Sequence, residues 1–147
     1  MKFKYAIVFQ ADLQLLSQDI LVHHVPPAGR ALDHATITGK PVTISRIAGT
    51  RFRAFGGMIL GKTLQVVPKR LIIQSWRSKE WKPEDLDSTL IISVWPDKEG
   101  GRVELTHVNV PEYDYNDVNE GWEKYYWKPW REYLMKKETC VGMAKAA

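Results

Sequence analysis

The chain has 147 residues, of which 44% are hydrophobic, and its formal net charge is +4. This size and apolar content fit one globular domain with its own core and leave little room for two. The basic residues are scattered among acids and form no run, so the composition does not indicate binding of nucleic acid. We therefore expect a single domain over residues 1–138, followed by a flexible tail over residues 139–147.

Two features of the sequence indicate the cellular compartment in which the protein is located. The single cysteine, Cys140, cannot form an internal disulfide, which fits a reducing environment. The apolar run near the start, residues 5–9, is too short for the core of a signal peptide and for a membrane span. We therefore predict a cytoplasmic location.

The first quarter of the chain predicts one strand and two short helices. Residues 2–9 alternate between polar and apolar side chains, as a half-buried strand does. Asp12 can cap a helix over residues 13–21, which must end before the proline pair at 26–27 because a residue before proline avoids helical dihedral angles. A second short helix is predicted over residues 28–35.

From residue 42 onward the hydrophobic period changes to two, which predicts six further strands. The turns between most of them are short, and short turns favour antiparallel neighbours because parallel strands need long crossovers. Gly56 and Gly57 fall inside one predicted strand and would ease a bend there. A polar loop is predicted over residues 78–87. The predicted strands are residues 42–48, 51–60, 63–67, 70–77, 88–95 and 102–110.

A long helix is predicted over residues 114–137. Asp114 or Asn116 can cap its start, and Pro129 inside the pattern predicts a kink because it removes a backbone donor. Trp127 lies opposite the apolar face, where it either covers a loop or is exposed for a partner. The apolar face consists of residues spaced by three and four, namely Val118, Trp122, Tyr125, Tyr126, Pro129, Trp130 and Tyr133.

Together these elements predict an α+β fold, in which a bent antiparallel sheet of about seven strands wraps around the carboxy-terminal helix, with two short helices after the first strand. Four stretches, residues 34–45, 52–81, 105–111 and 120–134, carry a resemblance to a known family. They include VVPKRLIIQSWR and the helix EGWEKYYWKPWREYL. In these stretches the sequence resembles the START-like helix-grip superfamily (SRPBCC), and within it the group similar to the carboxy-terminal domain of the activator of heat-shock protein 90 ATPase.

The resemblance implies a cavity between the helix and the sheet that holds an apolar small molecule or lipid. A tightly packed core without a ligand is the alternative reading of the same apolar residues. Full activators carry a further amino-terminal domain with an asparagine- and tryptophan-rich motif that this sequence does not show, so the resemblance does not by itself imply chaperone activation. The expected ligand-binding residues are Phe52, Trp76, Ile92, Leu105, His107, Trp122, Tyr125 and Tyr126.

The polar candidates for chemistry are few. On the alternation from Val103 through Leu105, His107 faces inward, where it either meets a ligand or is satisfied within the core. His23, His24 and His34 do not have metal-ligand spacing, and no nucleophile motif or phosphate loop occurs. We therefore expect no catalytic residue, no metal and no cofactor.

Three functions remain open at this point. The first is a non-enzymatic binding protein for an apolar or aromatic molecule. The second is an interaction module, acting on a heat-shock chaperone, that would use Trp81 in the polar loop, Trp127 and the basic helix end. The third is an enzyme such as a cyclase or hydrolase, with His107 and a tyrosine as acid and base. A monomer and a homodimer are equally compatible with the sequence.

Overall fold

In the described part of the chain, six antiparallel strands form one sheet in the order β1-β6-β5-β4-β3-β2. The computed structural model describes residues 6–13, 47–68, 70–97, 100–129 and 131–132. The predicted strand over residues 42–48 lies largely outside these ranges, and its last two residues, Ile47 and Ala48, form a bend and a turn. The strands are β1 (Ala6–Leu13), β2 (Arg51–Ala54), β3 (Ile59–Val67), β4 (Leu71–Ser78), β5 (Ser88–Asp97) and β6 (Gly100–Val108).

The first strand is longer at its end than the sequence predicted. Asp12 pairs with Arg102 and Leu13 pairs with Gly101, so Asp12 is not a helix cap and that prediction is wrong. The reason is that β6 extends far enough to pair with both residues, and a strand continues while it has a partner for its backbone groups. The rest of the first predicted helix, residues 14–21, and the second, residues 28–35, lie outside the described residues.

A turn between β2 and β3 lies where the sequence predicted one continuous strand over residues 51–60, so that prediction is wrong. Residues 51–60 are not one strand, because a short 3₁₀ turn, Phe55–Gly57, separates β2 from β3. Gly56 and Gly57 have φ angles of 66° and 91°, a region that glycine enters without steric cost. The glycine pair therefore forms a hairpin turn rather than a bend within a strand.

Gly61, where the sequence predicted a turn, lies instead in the middle of β3. It pairs with Phe52 on one side and Trp76 on the other. A Cβ at this position would lie 2.1 Å from the carbonyl oxygen of Ser75 and 2.4 Å from the Phe52 ring. Glycine is needed here for the close approach of neighbouring groups, not for a turn.

The predicted alternation of the sheet is confirmed on its inner face. Trp76 is half-buried there, and the other residues predicted to face inward are buried. This apolar layer packs against the helix that follows β6. Its buried members are Phe52, Ala54, Ile72, Leu90, Ile92, Val94, Val103 and Leu105.

The carboxy-terminal helix begins as predicted but changes geometry along its length. A 3₁₀ turn (Glu112–Asp114) leads into α1 (Tyr115–Trp122), which continues as a π turn (Glu123–Trp127). Residues 128–129 and 131–132 are again helical. The π turn lies just before Pro129, whose missing N–H and ring disfavour a regular α-helix there. Residues 133–137 of the predicted helix lie outside the described ranges.

The π turn explains why Trp127 is buried, with 4% of its surface exposed. At regular α spacing a residue five positions after Trp122 points well away from it, whereas a wider turn brings the two close to one face. The two ring centroids are 6.5 Å apart, and both indoles belong to the core. The prediction that Trp127 lies opposite the apolar face is therefore wrong.

Within the described ranges, none of the helical segments has the length and apolar character needed to cross a bilayer.

Candidate functional site

A cavity of about 460 Å³ lies between the helix and the sheet. One wall comes from α1 and the π turn, and the other comes from the β2–β3 turn, the start of β3 and the end of β4. Cavities that hold small molecules in proteins have volumes of roughly 300–1,000 Å³. The space is therefore large enough for a ligand of a few fused rings or a short acyl chain.

Five of the described residues that line the cavity are aromatic. Phe55 in the β2–β3 turn contacts Tyr125 and Tyr126 edge to face, at centroid distances of 5.7 and 5.6 Å. Tyr126 in turn packs against Trp122 at 4.7 Å. These rings line the cavity, which suits an apolar or aromatic ligand. Burial raises the pKa of the Tyr126 hydroxyl well above its usual value, so this group is neutral.

The charged residues described in the cavity lining are acidic. Glu80, Asp114 and Asp117 contribute carboxylates, and none of the lining residues in the described part of the chain is basic. Burial of a charge without a partner is costly, so a ligand carboxylate beside these groups is disfavoured. The lining favours a ligand whose polar end is neutral or cationic.

Asp114 has a structural contact besides its place in the lining. It occupies the N-cap position of α1 but makes no capping bond with its side chain. Instead, its Oδ2 accepts a hydrogen bond of 2.5 Å from the indole Nε1 of Trp81. This bond ties the loop after β4 to the start of the helix.

The same loop contains Trp81, which the sequence predicts at the surface as a contact residue of an interaction module. The structure places it in the core, with 5% of its surface exposed and its ring 5.4 Å from that of Trp76. The Arg77 guanidinium stabilises the loop by donating hydrogen bonds to the carbonyl oxygens of Lys82 and Asp85. Trp81 therefore anchors the loop, and its predicted exposure is wrong.

His107 lies beside the cavity and is fully buried. Its Nδ1 accepts a hydrogen bond from Nε1 of Trp122 at 3.1 Å, so its proton must lie on Nε2. Nε2 is 2.7 Å from Oγ of Ser88, which in turn donates to the carbonyl oxygen of Trp76 at 2.8 Å. These hydrogen bonds satisfy both ring nitrogens of His107 within the protein.

Burial also lowers the pKa of His107 from 6.5 to about 3, because the charged form loses its hydration. The imidazole is therefore neutral at physiological pH. The sequence left open whether His107 meets a ligand or is satisfied in the core, and the hydrogen bonds here support the second reading.

The cavity brings together half of the expected ligand-binding residues. Trp76, Trp122, Tyr125 and Tyr126 line it, and Tyr125 is the most exposed of them at 42%. The other four, Phe52, Ile92, Leu105 and His107, are buried and are not among the lining residues.

The sequence did not identify Phe55 and Met58 of the β2–β3 turn, or Ile59 at the start of β3, as lining residues. They were read as the middle of a strand. The adjacent glycines at 56 and 57 were the available signal, because two glycines in succession favour a tight turn.

Comparison with known proteins places these features in a family. A family model described as "Activator of Hsp90 ATPase homolog 1-like protein" matches residues 32–134. The human "Activator of 90 kDa heat shock protein ATPase homolog 1" is 29% identical over 93 residues, which cover 62% of this chain. The aligned part is 27% of the human protein, so the chain spans about a quarter of that relative's length.

Solved structures share the fold at lower identity. An HSP90 activator from Plasmodium falciparum superposes with a TM-score of 0.73 at 19% identity, covering 94% of this chain and 96% of its own. A protein described as an Aha1 dimer, from Colwellia psychrerythraea, superposes with a TM-score of 0.66 at 13% identity, covering 84% and 91%. At identities this low, the superpositions establish a shared fold.

Proposed function

The chain belongs to the family of Activator of Hsp90 ATPase homolog 1-like proteins, and from this premise we propose that it binds an apolar or aromatic small molecule in the cavity between sheet and helix. The observation that carries the proposal is the cavity of about 460 Å³ with its aromatic wall. A core that packed fully against the helix would leave no such space.

The lining narrows the class of ligand. Aromatic faces on Trp122 and Tyr126 suit a flat ring system or an acyl chain, and they also attract a cationic group placed over them. The carboxylates of Glu80 and Asp117 lie at the same cavity. We therefore propose a ligand with an apolar body and a neutral or cationic polar end.

Binding without chemical conversion is supported by the state of the polar groups. Both ring nitrogens of His107 are engaged inside the protein, and its pKa is lowered to about 3. A general acid or base works best with a pKa near the working pH and a free path to the ligand. His107 meets neither condition.

A matched pair of substitutions at Gly121 tests the proposal. Gly121 lines the cavity, and an added Cβ would meet only the Tyr125 ring at 3.7 Å. Titration with the neutral fluorescent probe N-phenyl-1-naphthylamine should saturate with the natural protein and with Gly121→Ala. Gly121→Phe places a ring in the cavity and should weaken binding by about tenfold, since a blocked cavity cannot bury the probe.

The Gly121→Phe variant also defines the result that would contradict the proposal. If the probe binds Gly121→Phe as tightly as Gly121→Ala, or does not saturate at all, the cavity is not the binding site. Native mass spectrometry of protein purified from its own cells gives a second measurement: an extra mass that is lost on unfolding identifies the size of the natural ligand.

Regulation of a heat-shock chaperone is the second candidate. The observation in its favour is the 29% identity with a human protein described as an activator of heat-shock protein ATPase. Because the alignment covers 27% of that relative, this chain would supply only part of the relative's contacts. The test is capture of the 90 kDa chaperone by this chain and stimulation of its ATPase, and the absence of both removes the candidate.

A further inference from the structure

A second concavity, of about 250 Å³, lies on the sheet face opposite the helix. Its floor is formed by the β3 backbone around Gly61, and the surrounding side chains come from β2, β3, β4 and the loop before β5. Arg51, Lys62 and Arg77 converge on it, with Ser75 and Asp87 as the other polar lining residues.

The strand register places like charges directly opposite one another. Arg51 on β2 pairs with Lys62 on β3, and both side chains are exposed. Arg53 lies two residues along β2 and is exposed on the same face, because the side chains of this strand alternate between exposed and buried. We call Arg51, Arg53, Lys62 and Arg77 the basic face.

Among the described residues, Arg77 is the one member of the basic face with an acidic partner. Arg77 forms an ion pair with Asp87 at 3.2 Å and also donates to backbone carbonyls of the loop. Within the described ranges, Arg51, Arg53 and Lys62 form no ion pair. Like charges directly opposite in an antiparallel sheet are destabilising, so fold stability alone does not account for this arrangement.

We propose that the basic face docks an extended acidic segment of a partner protein, with carboxylate side chains entering the concavity. Alternate residues of a strand lie about 7 Å apart on one face, and this is the spacing of Arg51 and Arg53. An extended segment with acidic residues at alternate positions has the same repeat. Its carboxylates can therefore face successive guanidinium groups, which bind carboxylates through two parallel hydrogen bonds.

The lining also distinguishes this partner from a nucleic acid. Binding of single-stranded nucleic acid relies on aromatic side chains that stack with the bases, and none of the described residues lining this concavity is aromatic. The basic face lies on the opposite side of the sheet from the ligand cavity, so the inference does not depend on the proposed function.

Fluorescence anisotropy with a labelled peptide of alternating Asp and Ser tests the inference on the full chain. We expect saturable binding at low salt that weakens as ionic strength rises, because exposed charges are screened. The double variant Arg51→Gln, Lys62→Gln should lose about tenfold in affinity. The control, Lys79→Gln with Lys128→Gln, removes the same charge from exposed sites elsewhere and should keep the natural affinity.

Three outcomes would overturn the inference. Equal loss of affinity in the two double variants would mean that only the net charge matters. Equal binding of the matching Asn and Ser peptide would mean that carboxylates are not recognised. Tighter, saturable binding of a labelled DNA strand that the first double variant abolishes would assign the basic face to nucleic acid. Thermal unfolding checks that each variant is folded, and removal of the opposed charges should leave the midpoint of Arg51→Gln, Lys62→Gln unchanged or raised.

Discussion

The indole Nε1 of Trp122 donates a hydrogen bond of 3.1 Å to Nδ1 of His107, and this bond joins the helix to β6. From His107 the hydrogen bonds continue to Ser88 on β5 and to the backbone of Trp76 on β4. Trp122 and Trp76 also line the cavity. The same bonds that satisfy a buried histidine therefore fix the position of two walls of the proposed ligand site.

Substitution Ser88→Ala should destabilise the fold, because it leaves the Nε2–H of His107 without its acceptor in a fully buried position. An unsatisfied buried donor costs about 1–3 kcal/mol. Urea unfolding measures the change. Ser93→Ala makes the same chemical change on the same strand at a half-buried position and should stay within about 0.5 kcal/mol of the natural protein. Equal losses in both variants would mean that the hydrogen bond to His107 does not contribute to stability.

The lowered pKa of His107 predicts a pH dependence of stability with a defined sign. The unfolded chain binds a proton on this group below pH 6.5, whereas the folded protein binds it only near pH 3. The free energy of unfolding is therefore unaffected above pH 6.5 and falls as the pH is lowered through this window, by up to about 1.4 kcal/mol per pH unit.

Two measurements check this dependence. The ring resonances of His107 should remain those of a neutral, Nε2-protonated imidazole at pH 5 in NMR spectra. Urea unfolding of His107→Gln should show a smaller decrease between pH 7 and pH 5 than the natural protein. Titration of the His107 ring near pH 6 in the folded protein would contradict the prediction.

The bond between Trp81 and Asp114 should couple the polar loop to the helix energetically. Trp81→Phe keeps an aromatic ring against Trp76 but removes the donor to the carboxylate. In a double-mutant cycle with Asp114→Ala, we expect a coupling energy of about 1.5–3 kcal/mol, the range for hydrogen bonds to charged groups. The cycle with Asp117→Ala, on the same helix, should give a coupling energy near zero. Equal coupling in both cycles would show that the coupling does not come from the hydrogen bond between Trp81 and Asp114.

The structure also shows which parts of the fold are readable from the sequence. Alternation alone predicted that His107 faces inward and that Leu105 and Ile92 are buried, because the side-chain period of a strand is fixed. The hydrogen-bond partners of His107 lie 19 and 15 residues away, on β5 and α1. They depend on strand register and helix placement, which no local pattern specifies.

The prediction for the orientation of Trp127 was wrong for a different reason. A helical projection assumes a constant turn, and a single π turn rotates every later residue relative to the earlier ones. Pro129 was a signal that the helix departs from regular geometry. It does not reveal whether the helix kinks or widens, and only widening brings Trp127 to the core.

Three glycines that lie in different structural settings provide the last prediction. Gly61→Ala should cost more than about 3 kcal/mol, since its Cβ would lie 2.1 Å from a backbone oxygen that the sheet holds in place. Gly49 has a φ of 88° with no atom within 4 Å of an added Cβ, so Gly49→Ala should cost only the backbone strain of about 1–3 kcal/mol. Gly121→Ala, within a helix and nearly free of contacts, should stabilise by about 0.4–1 kcal/mol.

Urea unfolding of the three variants gives the order directly. The structure requires that Gly61→Ala be the least stable and Gly121→Ala the most stable. If Gly61 formed the turn that the sequence pattern favoured, its substitution would resemble that of Gly49, and the cost would come from φ alone. A Gly61→Ala variant as stable as Gly49→Ala would therefore contradict the pairing of Gly61 with both Phe52 and Trp76, and with it the position of the β2–β3 turn that lines the cavity.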